Sequence, residues 1–397
     1  MKIPFLPRFG GRRLPPLKET ASAGAFIKDF DFYNPDDLIG KRSYSIYDQM
    51  QRDAQVQACL TIKKLAVLSH GWEVHPASSE PRDVEIADFV RFALVDMRGS
   101  ILNVLYNVLD ALAKGFSVLE INYHIFEDGP HKGRVGIASI KAKDPSIFSF
   151  DTDEFLNVRS LKRTGPGPSQ QVLPSDKFVV YSHMPRYESP YGTSDLRAAH
   201  KHYWSKDVLT RFMNLYLEKH GSPTAKGSYK RGTPKQAQEE LLRVLDKIQQ
   251  QTAIVIPDDV KVELLEAGRS GEAGYLQAIE WHDKQISRAI LCQTLMTDEG
   301  VRVGSYALAK VHLDVLKMCL HKLKRDLEEA VMREQVIKRL VDFNFSAKSY
   351  PTFSLGPLED ADVAQLTEVI GKLVDGQVIK PDEEWIRGYL GLPTGKK

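Results

Sequence analysis

SDLRAAHKHYWSKDVLTRFMNLYLEKHG, residues 194–221, reads as one uninterrupted helix. Leu196, Ala199, Tyr203, Val208, Phe212, Leu215 and Tyr216 recur mainly at spacings of three to five, the period of an apolar helix stripe. Ser194 can cap the first free N–H groups, and Asp195 sets a negative charge at the positive end of the helix dipole. Gly221 accepts the left-handed turn that stops a helix, and Pro223 prevents resumption. At roughly 1.5 Å per residue the rod is ~40 Å long. A second helical stretch, residues 271–291, offers Tyr275, Leu276, Ile279, Ile286, Ala289 and Ile290. Between the two lies residues 222–268, a compact excursion. The pattern predicts a stalk of two helices with a knob at its end.

The chain has 397 residues, enough for two or three folding units with a real core. Hydrophobic residues make up 42% and charged residues 27%, as in a soluble globular protein, and the net charge is only +2. Static or sequence-specific DNA binding draws its affinity from neutralised phosphates, so so small a basic excess argues against it. Cys59, Cys292 and Cys319 form no CxxC pair and read as reduced thiols. Prolines and glycines break the N-terminal residues before any apolar signal region forms, and residues 1–25 read as a flexible arm. No apolar run reaches the ~20 residues that span a bilayer, so no membrane partner is expected.

Residues 45–70 read as a helix with Tyr47, Met50, Ala54, Cys59, Ile62, Leu65 and Ala66 inward. A strand at 72–75 and helices at 82–96 and 100–114 follow. Strands are expected at 116–126, 133–140, 147–150, 155–161 and 177–182. Helices followed by clustered strands predict an α+β unit rather than an alternating parallel sheet. The knob reads β-α-β-β: strand 224–229, a helix from Pro234 to about Gln251, and strands 253–256 and 260–265. After a polar, glycine-containing stretch at 292–304, a long helix at 305–340 carries Leu313, Leu316, Leu320, Leu323, Leu327 and Ala330 in a heptad-like seam. That seam reads as packing within the chain or a ring rather than as a free coiled coil. A strand at 350–355 and a two-piece helical tail complete the chain.

The chemistry of a nucleotide motor, metalloprotease or serine hydrolase is missing: there is no GxxxxGK[ST], HExxH or GxSxG, and no zinc-ligand spacing. Gly268, Gly271 and Gly274 space as GxxGxxG, which reads as a hinge at the foot of the stalk and not as a dinucleotide fingerprint. His200 and His202 are two apart on a helix and cannot chelate together. Glu280 and Asp283 could share a helix face, and Asp298 and Glu299 lie in the polar stretch; a nucleic-acid-processing hydrolase using these carboxylates is the enzymatic alternative. With no convergent set, no catalytic residue, metal site or cofactor is expected, and the default is a structural or interaction protein.

The succession of YGTSDLRAA (191–199) with Trp204, KHGSPT (219–224), GVRVGSY (300–306) and AKGFSVLEI (113–121) resembles the portal proteins of tailed bacteriophages, in the Mu-type branch. The resemblance runs over residues 45–393. It implies an α+β portal-like fold: an α/β wing (26–190), two stem helices (194–220 and 271–291), an inserted β-α-β-β clip (222–268), and a short helical crown (358–397). Residues 292–357 would then hold the tunnel loop, the long helix and the return to the wing. It further implies a homo-oligomeric ring of about twelve at one capsid vertex, a head-tail connector of the virion assembled in the host cytoplasm. Double-stranded DNA would pass through it non-specifically during packaging and ejection. Large terminase, major capsid or scaffold protein, and head-completion or adaptor proteins are the implied partners, and another ring-forming virion connector is the neighbouring alternative. Thr297, Gly300, Arg302 and Gly304 would belong to the DNA-facing tunnel loop. Leu196, Tyr203, Phe212, Leu215, Tyr275, Ile279 and Ile286 would pack the stem.

Overall fold

Short carboxylates set where the first helices begin. Asp36 caps α1 (Asp37–Arg42), and α2 (Ser45–Met50) follows. The helix expected over 45–70 is broken, because Asp53 adopts an extended backbone and its carboxylate accepts from Gln55 N and Val56 N at 3.0 and 3.1 Å. This cap starts α3 (Ala54–Leu68), since an Asp satisfies two orphan N–H groups that a continuing helix would otherwise use. The inward face of α3 also differs from expectation. Val56, Cys59, Leu60, Lys63, Lys64 and Val67 are buried, while Ala54 and Leu65 face outward. These elements belong to a computed structural model that describes residues 34–153, 157–163, 171–220, 224–229, 231–248, 261–265, 270–292 and 306–358. The arm (1–25), the strand expected at 253–256, the 294–304 loop and the tail beyond residue 358 lie outside the described residues.

β1 (Trp72–His75) and α4 (Pro81–Asp96) come next. The helix expected at 100–114 divides into α5 (Ile101–Val108) and α6 (Ala111–Lys114). Ser117 Oγ donates to the carbonyl of Val108 at 2.7 Å, satisfying a group left over where α5 ends. The strands are β2 (Phe116–Ile125), β3 (Val135–Lys143), β4 (Phe148–Thr152), β5 (Val158–Arg163), β6 (Gln171–Leu173) and β7 (Phe178–Ser182). They form two antiparallel sheets, ordered β3-β2-β7 and β4-β5-β6. The three-residue β6 was not foreseen; it is too short to show a period.

α7 (Asp195–His220) and α9 (Ser270–Leu291) are the two long helices. Between them, β8 (Thr224–Ser228), α8 (Lys235–Ile248) and β9 (Lys261–Leu265) form a β-α-β module, with β8 and β9 antiparallel. α10 (Tyr306–Arg325) then runs without a break into a π-helical segment (Asp326–Ile337) and α11 (Lys338–Asn344). β10 (Thr352–Leu355) returns to pair antiparallel with β1, where Trp72 stacks on Phe353 at 5.7 Å. The architecture is α+β.

The leucine seam packs within the chain: Leu316, Leu320, Leu323 and Leu327 all join the main core. Ala330 does not, because the wider π turn shifts the inward positions to Val331, Met332, Val336 and Ile337. The same helix seals the main sheet. Gln335 accepts from Val180 N and donates to Val180 O, both at 2.8 Å, so one carboxamide copies a ladder partner along β7. Asn344 does the same for Val135 of β3, at 2.7 and 2.9 Å. Both edges of the three-stranded sheet thus carry a side-chain amide where an exposed edge would invite another strand.

AKGFSVLEI and YGTSDLRAA meet backbone to backbone. His183 N donates to Gly115 O at 2.8 Å, and Thr193 N donates to His183 O at 2.7 Å. Gly115 and Gly192 both have positive φ, +88° and +60°. A Cβ on Gly192 would collide with the carbonyl oxygens of Gly115 and His183. Gly192→Ala is therefore expected to lose about 2–5 kcal/mol, the sum of left-handed strain and overpacking. Denaturant unfolding of the purified chain measures it; a change within experimental error would show that this contact is not needed.

Candidate functional site: the paired helices and their foot

α7 begins in the core. Ser194 accepts from Leu196 N at 3.0 Å and donates to Ala113 O at 2.6 Å, so the cap also ties the helix to α6. Next to it, Asp195 lies in a buried network. Its Oδ2 accepts from Lys63 Nζ at 2.8 Å and its Oδ1 from His183 Nε2 at 3.1 Å. Lys63 Nζ also donates to Ile290 O, near the end of α9, at 2.8 Å. The two side chains of the ion pair are 2% and 11% exposed. Burial alone would raise the Asp195 carboxyl, but the His183 hydrogen bond and the Lys63 ammonium outweigh it and hold the group below its usual value.

A second rung lies farther out. Lys206 of α7 pairs with Asp53 at 2.8 Å and with Asp283 of α9 at 2.6 Å. Burial would depress the Lys206 ammonium, yet the two carboxylates raise it. Gln55 donates to Ser287 Oγ at 2.7 Å, completing the seam between α3 and α9. His202 meets His282 of the facing helix, with Nδ1 atoms 3.1 Å apart, and Trp281 closes over both rings. Burial holds both imidazoles below their usual value.

The expected stem residues divide along this length. Leu196 and Ile286 are fully buried at the foot. Tyr203 packs against the core, while Ile279 and Tyr275 are half-buried. Tyr275 lies 5.9 Å from Tyr216 at the knob end. Phe212 and Leu215 do not bury their side chains within the chain; they are 54% and 44% exposed. Trp204, Leu276 and Trp281 are exposed too. The burial gradient is sharp: on α7 the described side chains past Ala199 are half-buried or exposed.

Of the glycine run expected as a hinge, Gly268 lies outside the described residues. Gly271 and Gly274 lie in the first turns of α9, which begins at Ser270. Of the carboxylates considered for hydrolysis, Asp283 is engaged by Lys206, Glu280 is exposed, and Asp298 and Glu299 lie outside the described residues. Thr297, Gly300, Arg302 and Gly304 lie outside them as well. Among the described residues, no group of three or more His, Cys, Asp or Glu side chains could hold a metal ion, and no helix is long and apolar enough to cross a membrane. Sequence reasoning missed Lys63, His183 and Lys206. The available signal was the pair Lys63-Lys64 inside the apolar run CLTIKKLAVL, where one lysine at least had to point inward.

Residues 44–392 match a family described as "Portal protein of Mu bacteriophage". The chain is 25% identical over 355 residues to "Mu-like prophage FluMu protein gp29" of Haemophilus influenzae. It is 24% identical over 353 residues to the "Portal protein" of Escherichia phage Mu. Each alignment covers 87% of this chain and 66% of the relative, so the chain spans slightly less than two thirds of these curated relatives. Among solved structures, a chain titled "Neck of native GTA particle computed with C12 symmetry" has the same fold, with a TM-score of 0.57 and 12% identity over 91% of this chain and 95% of that one.

The foot network makes a quantitative prediction. Lys63→Met leaves the Asp195 carboxylate buried without its cation and is expected to cost about 3–5 kcal/mol. The pH dependence has a definite sign. Because the native Asp195 value is depressed, its contribution is full above its usual 3.8 and is lost as pH falls through the lower native value. Lys63→Met removes part of what depresses the native value and leaves burial to raise it, so less stability should be lost through the acid range, which unfolding curves measured there would detect. Parallel curves for the two proteins would refute this account of the foot.

Proposed function

Because the chain belongs to the Mu bacteriophage portal protein family, we propose that it is the connector at one capsid vertex, a ring through which double-stranded DNA is packaged and ejected. The observation that carries this is the gradient of burial along the paired helices. At the foot their apolar residues are covered by the rest of the chain; farther out, Trp204, Phe212, Leu215, Leu276 and Trp281 stand exposed on both helices. Large apolar side chains grouped on one projection mark a surface that a neighbour covers. In a closed ring the neighbour is another copy, which presents the same stalk at the same height. The C12 symmetry of the gene transfer agent neck supports a ring of about twelve.

In this reading, residues 26–190 with the return of α10, α11 and β10 form the wing, α7 and α9 the stem, residues 222–268 the clip and residues 358–397 the crown. The clip docks the terminase during packaging and adaptor proteins afterwards. The ring itself hydrolyses neither ATP nor DNA; the motor is a separate protein. A net charge of only +2 suits a channel in which DNA slides rather than sticks. In the same reading Arg302 is the phosphate contact of the tunnel loop, to which Thr297, Gly300 and Gly304 also belong.

Light scattering coupled to size exclusion, with class-averaged electron micrographs, is expected to give a closed ring of about a dozen copies. A monomer or dimer at every concentration and salt tested would overturn the proposal. Averages with a ring of different side-view shape would favour another virion connector. Phe212→Glu should block ring closure while shifting the chain's own stability by no more than about 0.5 kcal/mol, as at other exposed sites.

Arg302→Glu should leave the ring intact and impair packaging or retention of DNA, because one arginine per copy makes a belt of weak, salt-screened contacts. Normal packaging and retention by rings of this variant would remove Arg302 from the channel's working surface.

A further inference from the structure

Two of the three cysteines lie together although they are 27 positions apart. Cys292 Sγ and Cys319 Sγ are 3.4 Å from each other. Cys292 ends α9 in the left-handed region, at φ +60°, with its N–H donating to Arg288 O at 3.1 Å. Cys319 stands on α10. Neither carrier is free to drift. Ile290 and Leu291 are fully buried just before Cys292, and Lys63 holds the Ile290 carbonyl. Leu316, Leu320 and Leu323 anchor α10 in the same core on either side of Cys319. Cys292 is exposed and Cys319 half-exposed, so a small reagent in solvent reaches the pair. Cys59 differs in its access to solvent: it is fully buried.

We propose that Cys292 and Cys319 are a dithiol site, which small-molecule disulfides such as oxidised glutathione convert to an intrachain disulfide that staples the end of α9 to α10. One cysteine thiolate attacks the glutathione disulfide, breaking its S–S bond, forming a mixed disulfide and releasing one glutathione. The second cysteine then gives up its proton and attacks the protein sulfur of that mixed disulfide, expelling the other glutathione. Two protein thiols are oxidised, one glutathione disulfide is reduced, and the two thiol protons end on the two glutathiones. Burial, and then the contact with Cys319, push the Cys292 thiol up to about 11, so the exchange is slow at neutral pH and quickens as pH rises. This chemistry stands independently of the portal reading.

The test uses the full chain, incubated with oxidised glutathione at mildly alkaline pH without denaturant, then trapped with a maleimide and analysed by mass spectrometry. The expected result is the loss of two of three thiols, a peptide linking Cys292 to Cys319, an unmodified Cys59 and a rate that rises with pH. Cys319→Ser should stop at a stable glutathione adduct on Cys292. Three persisting thiols, two separate glutathione adducts in the parent protein, or links only between different chains would each overturn the proposal.

Discussion

A carboxylate withdrawn from water must be answered by positive charge and hydrogen bonds, or it takes up a proton. Asp195 is answered three ways: by the ammonium of Lys63, by His183 and by its place at the positive end of α7. The arrangement is balanced on the other side. Lys63 also serves a carbonyl near the C-terminal end of α9, where the helix dipole is negative. One buried ion pair therefore joins α3, the residue that follows the main sheet and both ends of the long excursion. Removing any member leaves another charge or polar group stranded, which is why the stalk's direction is set at its base, with the Lys206 rung adding a second tie farther out.

The stalk and its inserted module were legible because they rest on local rules: a period near 3.6, a polar cap, a glycine stop and a proline. β2, β3, β4, β5 and β7 were legible for the same reason, to within a few residues. What failed were features decided by tertiary contact. The break at Asp53 depends on a carboxylate that both caps α3 and meets Lys206. Lys63 and Lys64 belong by default to solvent, and the carboxylates of Asp195 and Asp110 help make their burial tolerable. The seam of α10 holds from Leu316 to Leu327 and is lost at Ala330, because a π-helical turn has no signature in apolar spacing until the shift has occurred. AKGFSVLEI and YGTSDLRAA were noticed as strings; that Gly115 and Gly192 pack against each other could not be read from either.

Phe212 and Leu215 show a different limit. Their period marks an apolar face, but a period cannot say whether the covering surface comes from the same chain. Within one copy they remain exposed, whereas Leu196 and Ile286 on the same pair of helices are completely buried. A single stripe therefore has two fates along its length. The chain's own core accounts for one end, and the family to which the chain belongs supplies the natural account of the other.

The shared anchoring of α7 and α9 has a mechanical consequence. Because both helices are gripped at one end by the same ammonium and by buried neighbours, the pair behaves as a lever with its fulcrum at Lys63 and α3. Over a rod of about 39 Å, a tilt of only ~5° at the fulcrum sweeps the far tip through roughly 3 Å. Conversely, a sideways load on the inserted module arrives at Lys63 and α3 as torque, multiplied by that length. Small repacking at the base is thus converted into displacement on the scale of an atomic contact at the tip, with no bending of the helices themselves.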